Sequence, residues 1–568
     1  MLARHSSGRP WLVGRRPARG VRAVDVESGW VAVLGDCLAS PAELAASARR
    51  GVDQMLRLPG SFHTVATGPA GLVAAGDAAG FRRVFTAEFD GLQLAASHAD
   101  VARRLIGAEV DRVWLAARLT SPEMPSVLRE TLAPFTGVRP VAAGCCVELS
   151  GQSRRVRRWW APPPADQTLR VGAERLRHTL TEAVSGRLDQ APGRVSVQLS
   201  GGLDSATLAV LAERAGPLLV TTAGRSRVDD DLGWARRVAA HLPECVHRVV
   251  DPGKAPCFFA ELGEPVPGMD EPAPFAAAAA RQRYTADLLA KQDIGLHLNG
   301  QGGDEVLLPT LAYLRSALAA EPRTGWRHLR GHAALKNIPL WTLARAVVRR
   351  ESYPAWLARA AGTLGTEASA AWALTGWEAP PLLPPWATSE ACELVRTAIT
   401  SAAPAPLDDD PAVHAAVVRI RASAYRAALY RDAMQAAEVP TAMPFFDRPV
   451  LEACLAVRPW ERVDPWQPKP LLRAAFADIV PAQLLARRTK GHYNADIHHG
   501  WSAHRDRLAG LLDRPLLAEQ YGLIDPAALR RALAGFGPSG LPPAWVTDVV
   551  AVERWLRDLT PPPSRSLR

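Results

Sequence analysis

The sequence predicts a mixed α/β protein in two parts: a strand-rich region over residues 1–165 and a parallel-sheet region with helical additions over 166–568. Three observations point there. Short apolar or alternating runs bounded by Gly, Asp and Pro fill the first part. Strand-like and helix-like runs alternate from Gly172 onward, which implies parallel strands joined by right-handed crossovers. Two of those strands then end in glycine-rich turns that carry acids.

The elements follow in order. Trp30–Leu34, Ser61–Thr67, Gly71–Ala75 and Leu92–Ala96 read as strands, and Pro162–Pro164 closes their region as a linker. Gly172–Leu188 spaces its apolar residues as a helix does, and Val195–Leu199 is a compact buried strand. Ser205–Ala215 is helical, Leu218–Thr222 a strand, Asp231–His241 a helix and Ile294–Leu298 a strand. Residues 310–420 read as helical, and six of the 17 tryptophans fall between Trp326 and Trp386. Most of these rings suit a core, although some would suit folding a peptide chain against them.

Composition narrows the class. With 48% hydrophobic and 22% charged residues, the chain is neither disordered nor fibrous. It holds no apolar run of membrane-spanning length, and His5, Arg9, Arg15 and Arg16 interrupt the N-terminal apolar stretch, so a cytoplasmic location is expected. Seven scattered cysteines without a C-x-x-C pair read as free thiols. The formal charge is +10, and only five of 67 basic residues are lysine. The densest basic cluster, Arg154, Arg155, Arg157 and Arg158, reads as a solvated face rather than a groove for nucleic acid. A basic total suits a protein whose ligands are anionic.

Ser200-Gly201-Gly202-Leu203-Asp204-Ser205 carries the strongest chemical signal. A strand that ends in Ser-Gly-Gly and turns into a helix presents backbone N–H groups and two hydroxyls to one point, where the helix dipole favours an anion. Gly201 and Gly202 let phosphate approach the backbone. Asp204 would oppose an anion unless a cation bridges them, which implies Mg²⁺. No Walker sequence is present, so the loop suits pyrophosphate released from ATP. Asn299-Gly300-Gln301-Gly302-Gly303-Asp304-Glu305 follows Ile294–Leu298 in the same way. Both turns would meet beyond the carboxyl ends of neighbouring strands, with Asp204 and Asp304 facing one Mg²⁺·ATP.

Together the two motifs resemble the synthetase domain of the asparagine synthetase superfamily, of the ATP-pyrophosphatase type. Asp270-Glu271-Pro272, Pro444-Phe445-Phe446-Asp447 and Lys469-Pro470-Leu471-Leu472-Arg473 match further family motifs in order. Arg487-Arg488-Thr489-Lys490-Gly491 resembles the late loop whose lysine sits near the phosphates. Gly76-Asp77, Ala96-Ser97 and Gly137–Gly144 with Arg158-Trp159-Trp160 resemble the superfamily's glutaminase domain. The implied fold is a degenerate glutaminase-like αββα domain over 1–165 and an adenine-nucleotide α-hydrolase-like synthetase domain over 166–568. The resemblance implies catalytic roles for Lys490, Gln301, Asp304 and Glu305. It implies nucleotide binding by Leu199, Ser200, Gly201, Gly202, Asp204, Ser205, Asn299 and Gly300, and metal binding by Asp204 and Asp304, with ATP and Mg²⁺ as cofactors.

Two departures direct the reading. The chain begins Met1-Leu2-Ala3, without the N-terminal cysteine of an active glutaminase, so glutamine hydrolysis is not expected. Gln301 stands where asparagine synthetase has glutamate and β-lactam synthetase tyrosine; an amide positions an acceptor but is no general base. An amide former without an ammonia supply takes its amine from the substrate. The Gln301 turn, Thr489–Asp496 and the tryptophan-rich helical region look most like a lasso-peptide cyclase. That enzyme adenylates an Asp or Glu side chain of a leader-free core peptide, whose own α-amine then displaces AMP to close a macrolactam. A leader peptidase and a leader-binding protein would be its partners, with no nucleic acid and no membrane span. A β-lactam synthetase-like or other amide ligase acting on a small substrate is the alternative.

Overall fold

The computed structural model describes all residues except 1–2, 5–9, 15–19, 28, 69–70, 225–229, 263, 265, 366–368, 404, 486, 488–490, 492, 536–542 and 560–568. Its N-terminal part is a four-layer αββα sandwich. One antiparallel sheet runs, in spatial order, through Ser153–Arg158, Cys145–Ser150, Gly71–Ala75, Gly60–Gly68, Gly29–Cys37 and Val21–Val26. The second holds Leu92–Ala96, Val84–Phe89 and Arg139–Val141. Ala74, Val147 and Leu149 of the first sheet meet Val84 of the second in a buried inner layer. Val31, Val33 and Phe62 on the other face of the first sheet pack on Leu44 and Ala48 of the helix Pro41–Arg49. That helix starts where a capping box fixes it: Ser40 Oγ accepts from Glu43 N (3.2 Å), and Ser40 N donates to Glu43 Oε2 (2.8 Å).

The four N-terminal runs read as strands all lie within strands. Among the described residues of this part, seven further strands were not read from the sequence: Ala3–Arg4, Pro10–Leu12, Val21–Val26, Val84–Phe89, Arg139–Val141, Cys145–Ser150 and Ser153–Arg158. Val84–Phe89 is buried over its first four residues and exposed over its last two, so it does not alternate, and Ser153–Arg158 holds four arginines and a single apolar residue. The basic cluster lies on Ser153–Arg158 at the sheet edge, where charge discourages edge-to-edge pairing. Arg157 pairs with Asp53 (2.7 Å), and Arg154 donates to Thr86 Oγ1 (2.8 Å).

The C-terminal part is built on a five-stranded parallel sheet in the order Val246–Val250, Leu218–Thr222, Arg194–Gln198, Ile294–Leu298, Thr441–Ala442. From Arg194–Gln198 the chain adds strands outward on one side, then crosses back to lay Ile294–Leu298 on the other. The order therefore reverses between these two strands, and Val197 pairs with Leu298. That reversal leaves a crevice at their carboxyl ends. His297 is fully buried in the sheet against Ser196 Oγ (2.8 Å), and burial pushes its imidazole down to about 4.

Helices cover the sheet and extend from it. Tyr313–Ala320, Pro322–Leu335, Leu340–Val348, Tyr353–Gly362, Ala370–Thr375 and Ser389–Ser401 form the helical region, followed by the 26-residue Pro411–Ala436. Trp356, Trp377 and Trp386 are core residues, and Trp372 is half-buried against it. Trp326 and Trp341 are exposed. Among the described residues, no helix is long and apolar enough to cross a membrane.

Candidate active site

The two glycine-rich turns lie side by side at the point of strand reversal. Leu199 follows the strand Arg194–Gln198 with both backbone groups in use: its N–H donates to Val220 O (2.8 Å) and its carbonyl accepts from Thr221 Oγ1 (2.7 Å). Ser200 begins the turn. Its N–H donates to Ser205 Oγ (3.2 Å), the two hydroxyls lie 3.1 Å apart, and Gly202 N donates to Ser200 Oγ (3.4 Å). These bonds give the loop its shape. Gly201 takes φ +72°, and a Cβ there would lie 2.5 Å from Asp231 O. The backbone of the neighbouring helix Asp231–Ala240 fills that space, so glycine is required for packing as well as for conformation. Asp204 sits in the first turn of Leu203–Ala212.

The second turn folds onto the first. Asn299 N donates to Ala442 O (3.0 Å), and Gln301 N closes the turn on Asn299 Oδ1 (2.9 Å). A Cβ on Gly300 would stand 3.2 Å from Ser205 N, and one on Gly303 would stand 2.4 Å from Asp204 Cγ. Sequence positions a hundred residues apart are therefore in van der Waals contact through missing side chains. Asp304 and Glu305 open the short helix Gly303–Leu307.

Lys469 ties the site together. Its ammonium ion-pairs with Asp204 and reaches Asp304 Oδ1 at 2.7 Å. Burial works against its charged form, but the two carboxylates outweigh burial and hold the ammonium above the ordinary lysine range. Lys469 itself takes φ +54°, immediately before the helix Pro470–Phe476. Arg473 of that helix donates to Pro468 O (2.6 Å) and Arg487 O (3.1 Å). The K-x-x-L-R pattern was visible in the sequence, yet nothing local placed its lysine between the two acids. Tyr430 carried no sequence signal, and Phe446 was visible only as part of the Pro444–Asp447 motif, with nothing local to place its ring against the second turn. Tyr430 is hydrogen-bonded to Asn299 while burial pushes its phenol up to about 12, and the Phe446 ring lies where a Cβ on Gly302 would stand, 2.8 Å away.

Lys490 lies outside the described residues, as do Arg488, Thr489 and His492. Its described neighbours converge on one carboxylate: Arg487 pairs with Asp230 (2.8 Å) and Asp231, and Gly491 N donates to Asp231 Oδ1 (3.1 Å). Three other motif acids pair elsewhere. Asp447 forms a buried bidentate pair with Arg187 (2.6 and 2.7 Å). Asp270 (2.7 Å) and Glu271 both take Arg83 of the N-terminal part.

Two glycine-rich turns, one carrying Asp204 and the other Asp304, thus meet with Lys469 between their acids at the switch point of a parallel sheet in an α/β protein. The family model for asparagine synthase matches residues 175–557, and the chain belongs to that family. It is accordingly an ATP-dependent enzyme that forms amide bonds. No curated protein sequence matches the chain significantly. Among solved structures, glutamine phosphoribosylpyrophosphate (PRPP) amidotransferase from B. subtilis, complexed with ADP and GMP, is similar at 10% identity. The match covers 54% of this chain and 67% of that one, with a TM-score of 0.18.

Proposed function

We propose that this enzyme closes a macrolactam in a ribosomally made peptide. An Asp or Glu side-chain carboxylate of the peptide attacks the α-phosphorus of ATP; a C–O–P bond forms and pyrophosphate leaves. The peptide's own α-amine then attacks the acyl carbon, the C–N bond forms, AMP leaves and one proton is lost from the amine. The observation that carries the chemistry is the convergence of Asp204 and Asp304 on one cationic point beside the Ser200–Ser205 turn.

Two carboxylates aimed at one point fit a hard divalent cation, so Asp204 and Asp304 would hold Mg²⁺, which when bound neutralises phosphate charge. Lys469 is placed to counter the same charge from the protein side. The Ser200–Gly202 backbone and the Ser205 hydroxyl orient pyrophosphate. Gln301 donates or accepts a hydrogen bond toward the acceptor, and Lys490 is assigned to the phosphates. Glu305 stands beside Asp304 in the first helical turn.

The peptide substrate is supported by the helical region beyond the site and by the amide at Gln301. A β-lactam joins atoms already close and needs a strong base in a small pocket. A peptide ring requires many rotatable bonds to be held, at about 1–2 kcal/mol per ordered residue, and so calls for a wide contact surface. The proposal includes a division at residue 165 into glutaminase-like and synthetase units. It also includes a leader peptidase and a leader-binding protein that prepare the peptide.

The test is to supply a leader-free core peptide with Mg²⁺·ATP and follow products by mass spectrometry. AMP, pyrophosphate and a peptide lighter by one water are expected, and Asp204→Ala or Asp304→Ala should abolish all three. ADP with orthophosphate ends the ATP-pyrophosphatase reading. Turnover of small carboxyethyl amino acids alone decides for the β-lactam synthetase-like alternative.

A further inference from the structure

The helices Pro322–Leu335 and Leu340–Val348 bury one side in a shared apolar cluster and leave basic side chains on the other. Residues 322–350 contain six arginines, Lys336 and no Asp or Glu. Among the described residues, acids from outside that stretch reach it in two loose ion pairs, Arg327 with Asp464 (3.7 Å) and Arg349 with Glu351 (3.9 Å). The two helices expose large apolar side chains: Trp326 at 49%, on the side of the first helix that carries Arg323 and Arg330, and Trp341 at 64% on the second. These are not displaced core residues, because Leu329, Ala333, Leu343 and Val347 on the opposite sides are buried against Leu314. On Leu340–Val348 the exposed Trp341, Arg345 and Val348 follow at i, i+4 and i+7, a single stripe turned outward.

The face runs toward the active site. A Cβ on Gly331 would stand 2.7 Å from Pro465 and 2.8 Å from the Trp466 ring, so the first helix is seated directly on that segment. Trp466 is itself half exposed, and Arg327 lies over its ring at 5.2 Å. Three residues further on is Lys469, between Asp204 and Asp304.

We propose that this face docks an acidic, apolar-bearing segment of the peptide substrate; the inference rests on the macrolactam reading above. Carboxylates along such a chain pair with the arginines, and its apolar side chains lie on Trp326, Trp341 and Trp466. An anionic lipid surface would use the same groups, but the continuity with Lys469 favours a chain whose far end must reach the nucleotide.

Binding is measured on the full chain without ATP, so its outcome is separate from the turnover test of the macrolactam reading. The probe is a fluorescein-labelled 16-residue peptide containing four Glu and three Leu, followed by anisotropy at low and high salt. The comparison protein is the surface triple variant Arg323→Ser, Trp326→Ser, Arg330→Ser. Salt-sensitive binding that weakens at least tenfold in the variant, with no co-sedimentation on phosphatidylcholine vesicles carrying 30% phosphatidylglycerol, is the expected result. Equal binding by both proteins overturns the proposal, as does no binding of the peptide. Variant-sensitive sedimentation on the vesicles without peptide binding overturns it in favour of a membrane-facing surface.

Discussion

Lys469 and Gly303 show how the site depends on single atoms. Replacing Lys469 by methionine leaves Asp204 and Asp304 facing one another without the cation both now contact. Lys469→Met should therefore lose AMP formation, and Lys469→Arg should not restore it, since a planar fork does not reproduce a point charge between two carboxylates. ATP–pyrophosphate exchange measures both. Gly303→Ala acts by displacement: its methyl would stand 2.4 Å from Asp204 Cγ, so the carboxylate must move. A shift on the order of 1 Å in such a group costs about 10²-fold in rate. Turnover should fall by that order while the unfolding temperature changes little; unchanged turnover would show that Asp204 tolerates the shift.

Between elements, a relay of rings joins the N-terminal sandwich to the second turn. Phe81, in the loop after Gly71–Ala75, stacks on Phe446 at 5.6 Å, and Phe446 occupies the space beside Gly302. The long helix Pro411–Ala436 locks this contact from behind, with Arg431 donating to Phe81 O (2.6 Å) and lying 4.7 Å over its ring. The strand-rich region thus props the turn that carries Asp304. Truncating a buried phenylalanine costs about 3–5 kcal/mol. Phe81→Ala should lower the unfolding midpoint accordingly and slow AMP formation, whereas Phe81→Leu should recover most of both. Full activity in Phe81→Ala would show that the turn keeps its position without the relay. Arg187 and Asp447 tie the first synthetase helix, Leu169–Asp189, to the segment that carries Phe446. Arg187→Leu leaves Asp447 buried and unpaired, at a cost of about 3–5 kcal/mol, measurable by urea denaturation.

Across the whole molecule, buried histidines link stability to pH. Burial pushes His63 down to about 3, and His297 and His332 to about 4. Each stays neutral in the folded chain while the unfolded chain takes up a proton below its ordinary value near 6.5. Their contribution is present above that pH and is lost progressively as pH falls toward 4. Each group contributes a slope of about 1.4 kcal/mol per pH unit within that window. Urea midpoints between pH 7 and 4.5 should fall steadily, and His297→Gln should flatten the fall by one proton's worth. A slope unchanged by that substitution would mean His297 is protonated in the fold.

The turns Ser200–Ser205 and Asn299–Glu305 were legible because their shape is local. A strand, two glycines and a hydroxyl or an acid need only their neighbours to make an anion-shaping loop. The strand–helix alternation likewise announced a parallel sheet, since crossovers leave few topologies. The role of Lys469 was not legible: its helix-starting K-x-x-L-R looks alike whether the ammonium meets water or two carboxylates 165 and 265 positions away. Asp270 and Glu271 show the same limit, since they were legible only as a motif that precedes the second turn, while folding pairs them with Arg83. The tryptophans divide for the same reason. Trp356 and Trp326 occupy similar helical patterns, and only the packing of neighbouring helices buries one ring and leaves the other exposed. Local pattern decides which backbone shapes form, while charge pairing and burial depend on which distant groups the fold brings within a few ångströms.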